Sequence, residues 1–542
     1  MIYLVSTQII EDSNKWVRAS VEEALALLAP LDKVGLDTET MGFDPYTKEL
    51  LMVQLGCYDF QVVIDCTTVD INLFRDYLES DRLFMGWNIK FDMKFLFHKR
   101  IVLKNVYDGF IAEKLMWLGY PSGFHSMSLK SAGENYLGVE LDKTIRGQIM
   151  WAGLSEAVIE YAANDVKYLE QIMDAQAVEL EKKGLSTAII YENKSVPWVA
   201  YTEYCGVKLD VQRWQYKMKL DNFIETVFEK ALNDWVVASA MGEKYAYHYL
   251  QVEGLSDKDA DKARKKMKGE RCPEKDIKGS ERGYCEAYKV PIETQVSKHF
   301  IQENRQGDLF LGFLPPTCTI NWRSSKQVIP LFKSLGLNLL AKDKETGEMK
   351  DSVEEKVIAP QSNISSIIYL YLEYAGARKL TSTYGQNVLD QINRVSGRLH
   401  TNFNQLGTDT GRLSSGGKDK SAGIDYLNFQ NFPNDPETRA CFVSSKGYKW
   451  ISCDYSGQES RIIADVTDDK AMLDLFNHGC GDVHSLTAYM SYPKIIPRGT
   501  QIEDIKHKFH EQRQDAKGVE FAINIFIYFS NFNYKKLVYI RK

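Results

Sequence analysis

TDTGRLSS at 408–415, NFQNFP at 428–433, DYSGQESR at 454–461 and RQDAKGVEFAIN at 513–524 follow one another within a single stretch, Thr408 to Asn524. Arg513, Lys517 and Phe521 recur every four residues, so they form one stripe along a helix. Asp454 follows the strand-like run YKWISC, which predicts its carboxylate at a strand end. GRLSSGGKD at 411–419 fails as a phosphate-binding loop, because the required spacing puts Gly417 where lysine is needed. His507 and His510 have no third ligand nearby and read as surface residues.

Upstream, residues 1 to about 180 alternate short β-rich runs with amphipathic stretches. VGLDTE, LMVQLGC and FQVVID read as neighbouring strands and INLFRDYLES as a helix, which predicts a mixed sheet with helices. Asp37 and Glu39 sit at i and i+2 at the end of the first of these strands, so both carboxylates reach one site. WNIKFD supplies Asn88 and Asp92, and YAANDVKYL supplies Tyr161 and Asp165, four apart on one helix face. Four acids and a tyrosine fit two-metal hydrolysis of a phosphodiester, with Asp37, Glu39, Asp92 and Asp165 as ligands and the tyrosine orienting water. Oxygen donors of this kind suit two Mg²⁺ ions, with Mn²⁺ as a substitute.

In this order and at these separations, D-x-E, N-x-x-F-D and Y-x-x-x-D resemble the DEDDy class of 3′–5′ exonucleases, as does HSMSLKSAGENYLG at 125–138. The segments of 408–524 resemble the template-primer and nucleotide-binding motifs of family A, polymerase I-like DNA polymerases. EYCGVKLD at 203–210, INWRSSKQVIPLFKSLGL at 320–337 and ARKLTSTYG at 377–385 resemble the polymerase start and thumb of that family. The resemblance implies an α/β, RNase H-like exonuclease domain followed by a partial right-hand polymerase domain of thumb, palm and fingers. It implies that Asp454 binds both polymerase metals and that Glu459 excludes a ribose 2′ hydroxyl. Arg513, Lys517 and His484 would then meet the triphosphate and Phe521 the sugar and base. Arg412 would read the minor groove at the primer end, and Asn88, Gln430 and Asn431 would be further DNA contacts. The family writes DYSQIELR where Gly457, Gln458 and Ser460 stand here, with Asp454, Glu459 and Arg461 in register.

The expected division is 1–185 exonuclease, 186–395 linker and thumb with an insertion at 240–300, 396–524 partial palm and fingers, and 525–542 outside the family pattern. Helical, charged sequence is expected from about 210 to 300, and the lysine-rich run Lys258 to Lys278 reads as a solvated helical face. Where the family continues with Tyr-Gly after AIN, this chain has Ile525, the first residue of IFIYFSNFNYKKLVYIRK at 525–542. Fourteen of those eighteen residues are Phe, Ile, Tyr, Asn or Lys, whose codons are almost wholly A and T. The expectation is that the reading frame leaves the family after Asn524, through an intron, an inserted element or a frameshift. A polymerase metal site lacking its second carboxylate would leave the exonuclease competent and the chain alone polymerase-deficient.

At 542 residues, with 44% hydrophobic and 26% charged residues, the chain is long enough for several domains. Its net charge of −6 argues against binding nucleic acid over the whole surface while leaving room for a basic channel. The nine cysteines form no C-x-x-C pair, and the N-terminus lacks a signal-peptide pattern; both point to a cytoplasmic protein, in the host cytoplasm if phage-encoded. No apolar run approaches the roughly 20 residues of a membrane span. Expected partners are primer-template DNA, single-stranded 3′ ends and deoxynucleoside triphosphates, with a complementing C-terminal polypeptide or a processivity factor. A stand-alone exonuclease whose C-terminal half grips DNA, half of a split polymerase, and a non-catalytic DNA-binding module stay open as alternatives.

Overall fold

KVGLDTET, the run that carries Asp37 and Glu39, is the strand Lys33–Thr40 in the computed structural model. The structure describes residues 1–10, 13–121, 123–141, 153–251, 270–271, 277–278, 284–303, 316–343, 347–419, 424–455, 457–479 and 482–518. Among these, seven strands form one mixed sheet: β1 Ile2–Val5, β2 Trp16–Arg18, β3 Lys33–Thr40, β4 Leu50–Gly56, β5 Gln61–Asp65, β6 Leu83–Gly86 and β7 Asn105–Asp108. They lie in the order β2-β1-β5-β4-β3-β6-β7. β3 pairs antiparallel with β4 and parallel with β6, which leaves it inside the sheet with its acids at one end. The expected strands VGLDTE, LMVQLGC and FQVVID are β3, β4 and β5. INLFRDYLES is a 3₁₀ turn, Ile71–Phe74, continued by the short helix Arg75–Leu78.

Helix α1, Glu156–Lys167, packs on the face of β3 and carries Tyr161 and Asp165. Its close approach depends on Gly35, where an added Cβ would stand 2.6 Å from the Val166 carbonyl oxygen. Helices Leu169–Lys182 and α2, Ser186–Cys205, then lead to α3, Val211–Met241. α3 packs lengthwise on α4, Ser366–Thr383, around Trp235, Trp322, Phe332 and Tyr374. Each such side chain contributes on the order of 1.5–3 kcal/mol when fully buried.

Two sequence expectations need correcting. The helix expected from 210 to 300 stops at Met241, where Gly242 takes the left-handed conformation (φ +81°) and caps it. YAYHYLQ then forms the strand Tyr245–Gln251, antiparallel to Tyr284–Pro291, because its aromatic and alternating residues suit a pleated surface better than a helix. Within the lysine-rich run, residues 270–271 and 277–278 are likewise strands and the rest lies outside the described residues. The strand expected at YKWISC is not formed. Residues 449–455 have no assigned secondary structure, with Trp450 and Ile451 60% and 82% exposed. A strand needs a partner for its backbone groups, and the neighbouring short strand Phe442–Val443 is already paired with Lys208–Leu209.

Candidate active site

Strand β3 and helix α1 bring Asp37, Glu39 and Asp165 together. One ligand atom from each lies within 4.8 Å of the others, the only such acid, His or Cys grouping found among the described residues. The three line a cleft of about 510 Å³ with Asn88, Asp92 and Tyr161, inside the usual range for ligand sites. Asp92, buried on the helix Lys90–His98, accepts a hydrogen bond from Thr38 Oγ1 at 2.5 Å. Burial pushes its carboxyl up to about 7, against the pull of that hydrogen bond. Every sequence-predicted exonuclease residue therefore reaches one cleft, with Asp92 beside the three-acid group rather than in it.

The residues present fit a divalent cation. Their donors are carboxylate oxygens, and Gln54, directly across the β3–β4 ladder from Asp37, is fully buried with no hydrogen-bond partner on either amide atom. An orphaned buried amide beside an acid cluster is what a bound group or ordered water satisfies.

Asn88 and the stretch at 125–138 are legible in the sequence, but Asp108 and Glu113, which hold them, carry no signal of their own. Asn88 has a left-handed backbone (φ +62°), and its N–H donates to Asp108 Oδ1 at 2.8 Å. Asp108 also caps the helix Gly109–Met116, and burial pushes its carboxyl up to about 6. His125 Nε2 and Tyr136 Oη, both in HSMSLKSAGENYLG, meet the buried Glu113 at 2.8 and 2.7 Å. The same stretch supplies Ser128 and Lys130, at the start of the short helix Leu129–Ala132, to the cleft lining.

The junction with the C-terminal half lies beside this cleft. Glu203 of α2 receives Lys90 at 2.6 Å and Lys94 at 2.8 Å. Burial raises the Glu203 carboxyl, but the two ammoniums outweigh it and hold it below its ordinary value. Lys90 is also held low, chiefly by burial. Two cations around one carboxylate keep it charged, and the desolvation cost falls on the lysine.

The polymerase-side residues are more scattered. Asp454 is exposed in the irregular segment at 449–455. Glu459, in the first turn of Gln458–Thr467, pairs with Arg412, and both are exposed. Gln430 and Asn431 lie on the exposed turn Phe429–Asn431, where Gln430 Nε2 donates to the Leu413 carbonyl at 3.1 Å. Arg513 and Lys517 do share the helical segment at 510–518. Arg513 is bidentate on Asp482, with Nε–Oδ2 3.0 Å and Nη2–Oδ1 3.1 Å. His484 lies in the first turn of the helix Val483–Ser491, which Asp482 caps. Phe521 and the tail 525–542 lie outside the described residues.

The model of the 3′–5′ exonuclease family matches residues 16–181, and that of DNA polymerase family A matches residues 315–531, past Asn524. The chain belongs to the family A DNA polymerases with a 3′–5′ exonuclease domain. DNA polymerase I of Aquifex aeolicus (strain VF5) is 26% identical over 516 residues, covering 93% of this family A chain and 70% of that protein. DNA polymerase I of Pseudomonas aeruginosa is 33% identical over 198 residues, covering 36% of this chain. The match spans only 19% of the Pseudomonas protein's length. The solved POL domain of Pol1 from M. smegmatis, in complex with DNA primer-template and dNTP, aligns with a TM-score of 0.58. At 19% identity over 92% of this chain and 69% of that one, this likeness speaks for the fold of the family A chain. Among the described residues no helix is long and apolar enough to cross a membrane.

Proposed function

We propose that this chain removes nucleotides from the 3′ end of DNA, and that its polymerase half serves to hold primer and template. The observation that carries the reading is the convergence of Asp37, Glu39 and Asp165 beside buried Asp92 in one cleft. In the reaction a water oxygen attacks the terminal phosphorus, the P–O3′ bond breaks, and a nucleoside 5′-monophosphate leaves. The shortened strand keeps its 3′ oxygen, which takes up a proton.

Asp37, Glu39, Asp92 and Asp165 would hold Mg²⁺ or Mn²⁺. The chemistry such ions supply when bound is a more acidic water and neutralised charge on the leaving oxygen. Tyr161, one turn before Asp165, orients the attacking water by hydrogen bonding. Asn88, pinned by Asp108, places its amide against the terminal nucleotide. Trp87, Phe91 and Phe110 wall the cleft and limit water around the scissile bond.

On the polymerase side, Asp454, Glu459, His484, Arg513, Lys517 and Phe521 mark where a nucleotide would bind. Glu459 is engaged by Arg412 and Arg513 by Asp482, so an incoming triphosphate has to displace existing ion pairs. We therefore expect the chain alone to extend primers poorly. Exposed Tyr448, Trp450, Ile451 and Tyr455 beside Asp454 favour a second reading, in which another polypeptide packs there to complete the palm.

The test of the nuclease reading is product analysis. A 3′-labelled strand incubated with Mg²⁺ should release labelled nucleoside 5′-monophosphate, and Asp165→Asn should abolish release. Labelled oligonucleotides as the first product would identify an endonuclease and overturn the reading.

A further inference from the structure

The cleft that holds the acids is not built from the N-terminal half alone. Asn402, Asn404 and Tyr426, far downstream in the chain, line it together with Asp37, Asp92 and Asp165. Asn402 and Asn404 flank Phe403 on an extended segment, so their side chains share a face. The segment is firmly placed. Lys90 Nζ donates to the Phe403 carbonyl at 2.8 Å, and the Phe403 N–H donates to Glu203 Oε1 at 2.6 Å. The Gly416 N–H donates to the Asn402 carbonyl at 2.9 Å, and Asn404 Nδ2 donates to the Gly416 carbonyl at 3.3 Å. Tyr426 ends the second strand of the hairpin pairing Gly417–Asp419 with Ile424–Tyr426, and Thr401 Oγ1 anchors the next residue's carbonyl at 2.6 Å. The rings of Phe43, Trp87 and Phe91 line the same cleft.

The chemistry of the wall differs from that of the acid cluster. Neutral amides bond phosphate and sugar oxygens without competing for cations, and an aromatic ring accepts any base by stacking. We propose that Asn402, Asn404 and Tyr426 grip the single-stranded DNA that leads to the terminal nucleotide, so that the polymerase half sets the exonuclease's preference for a frayed strand. This rests on the exonuclease reading. The three are substrate-positioning residues: the acids engage the one phosphate being cut, while the amides and the ring hold the strand behind it. A wall bolted to Lys90 and Glu203 keeps that grip in register with the acids.

The experiment compares two substrates of the full chain: a 5′-labelled single-stranded oligonucleotide, and the p-nitrophenyl ester of thymidine 5′-monophosphate, which offers a phosphodiester without a strand. Asn402→Ala with Asn404→Ala, and separately Tyr426→Phe and Tyr426→Ala, are measured for KM and kcat on both. For the Asn pair and Tyr426→Ala, preference for the strand over the ester should fall about tenfold, through KM, the effect of losing one stacking or paired contact. Tyr426→Phe, which keeps the ring, should retain most of the preference, and unfolding midpoints identify any variant that has lost its fold. Equal losses on both substrates in folded variants, or none on either, would overturn the proposal. Asp92→Ala must abolish both reactions. A wild-type chain that cleaves neither substrate defeats the exonuclease reading itself, an outcome distinct from a wild type that cleaves both with no effect of the wall.

Discussion

Lys90 Nζ lies 2.6 Å from Glu203 Oε1, the same oxygen that takes the Phe403 N–H. One carboxylate thus joins the exonuclease helix Lys90–His98, the connecting helix α2 and the extended segment beside the cleft. Glu203 is only 3% exposed, so these bonds are shielded from water and salt.

Glu203→Gln should loosen this junction. Two half-buried ammoniums would lose their buried counter-charge, a change that costs up to about 3–5 kcal/mol where a pair is fully buried. Urea unfolding of the variant should show a lower midpoint or a separate early transition. An unchanged curve would show that the junction contributes little.

The same carboxylate sets a direction for acid stability. Its folded pKa lies below the ordinary value of 4.5, so the folded state holds the charged form more firmly than the unfolded chain does. Its contribution is present in full above about pH 4.5 and is lost as pH falls through the lower folded value. Wild type should lose stability on acidification below that point more steeply than Glu203→Gln, as measured by unfolding midpoints across pH.

Gly35→Ala tests how the acids are brought together. The new Cβ would meet the Val166 carbonyl at 2.6 Å and push α1, with Tyr161 and Asp165, away from Asp37. Overpacking of this kind costs about 1–3 kcal/mol, and a displacement near 1 Å lowers turnover on the order of 10²-fold. Turnover on DNA should fall far more than the unfolding midpoint. Wild-type turnover would show that the approach of α1 does not matter.

Much of the exonuclease site was legible in the sequence because its acids obey local periodicities. Asp37 and Glu39 alternate on a strand, and Tyr161 and Asp165 lie one helical turn apart. Gly35, Gln54 and Glu203 carried no such signal, since their meaning comes from contacts with Val166, Asp37 and Lys90 across the fold. YKWISC misled for the related reason that apolar, aromatic residues make a strand only where a partner strand exists. The walls of the cleft at Asn402, Asn404 and Tyr426 could not be read either, because sequence distance hides which half of the chain faces the other.

Asp482→Asn addresses the nucleotide-binding half. Asparagine keeps the cap on Val483–Ser491 but removes the charge that engages Arg513. Affinity for a deoxynucleoside triphosphate should rise about tenfold, the worth of roughly 1.4 kcal/mol of released competition. Equilibrium titration with a fluorescent nucleotide measures it, and unchanged affinity would mean that Arg513 does not meet the triphosphate.

The most direct measurement of the central claim uses a 5′-labelled recessed primer-template with Mg²⁺ and the full chain, with and without all four deoxynucleoside triphosphates, beside Asp92→Ala. The account expects the primer to shorten under both conditions and the variant to be slower on the order of 10³-fold, several kcal/mol of lost transition-state stabilisation. Extension of the primer by the chain alone, or shortening that persists in Asp92→Ala, would contradict it.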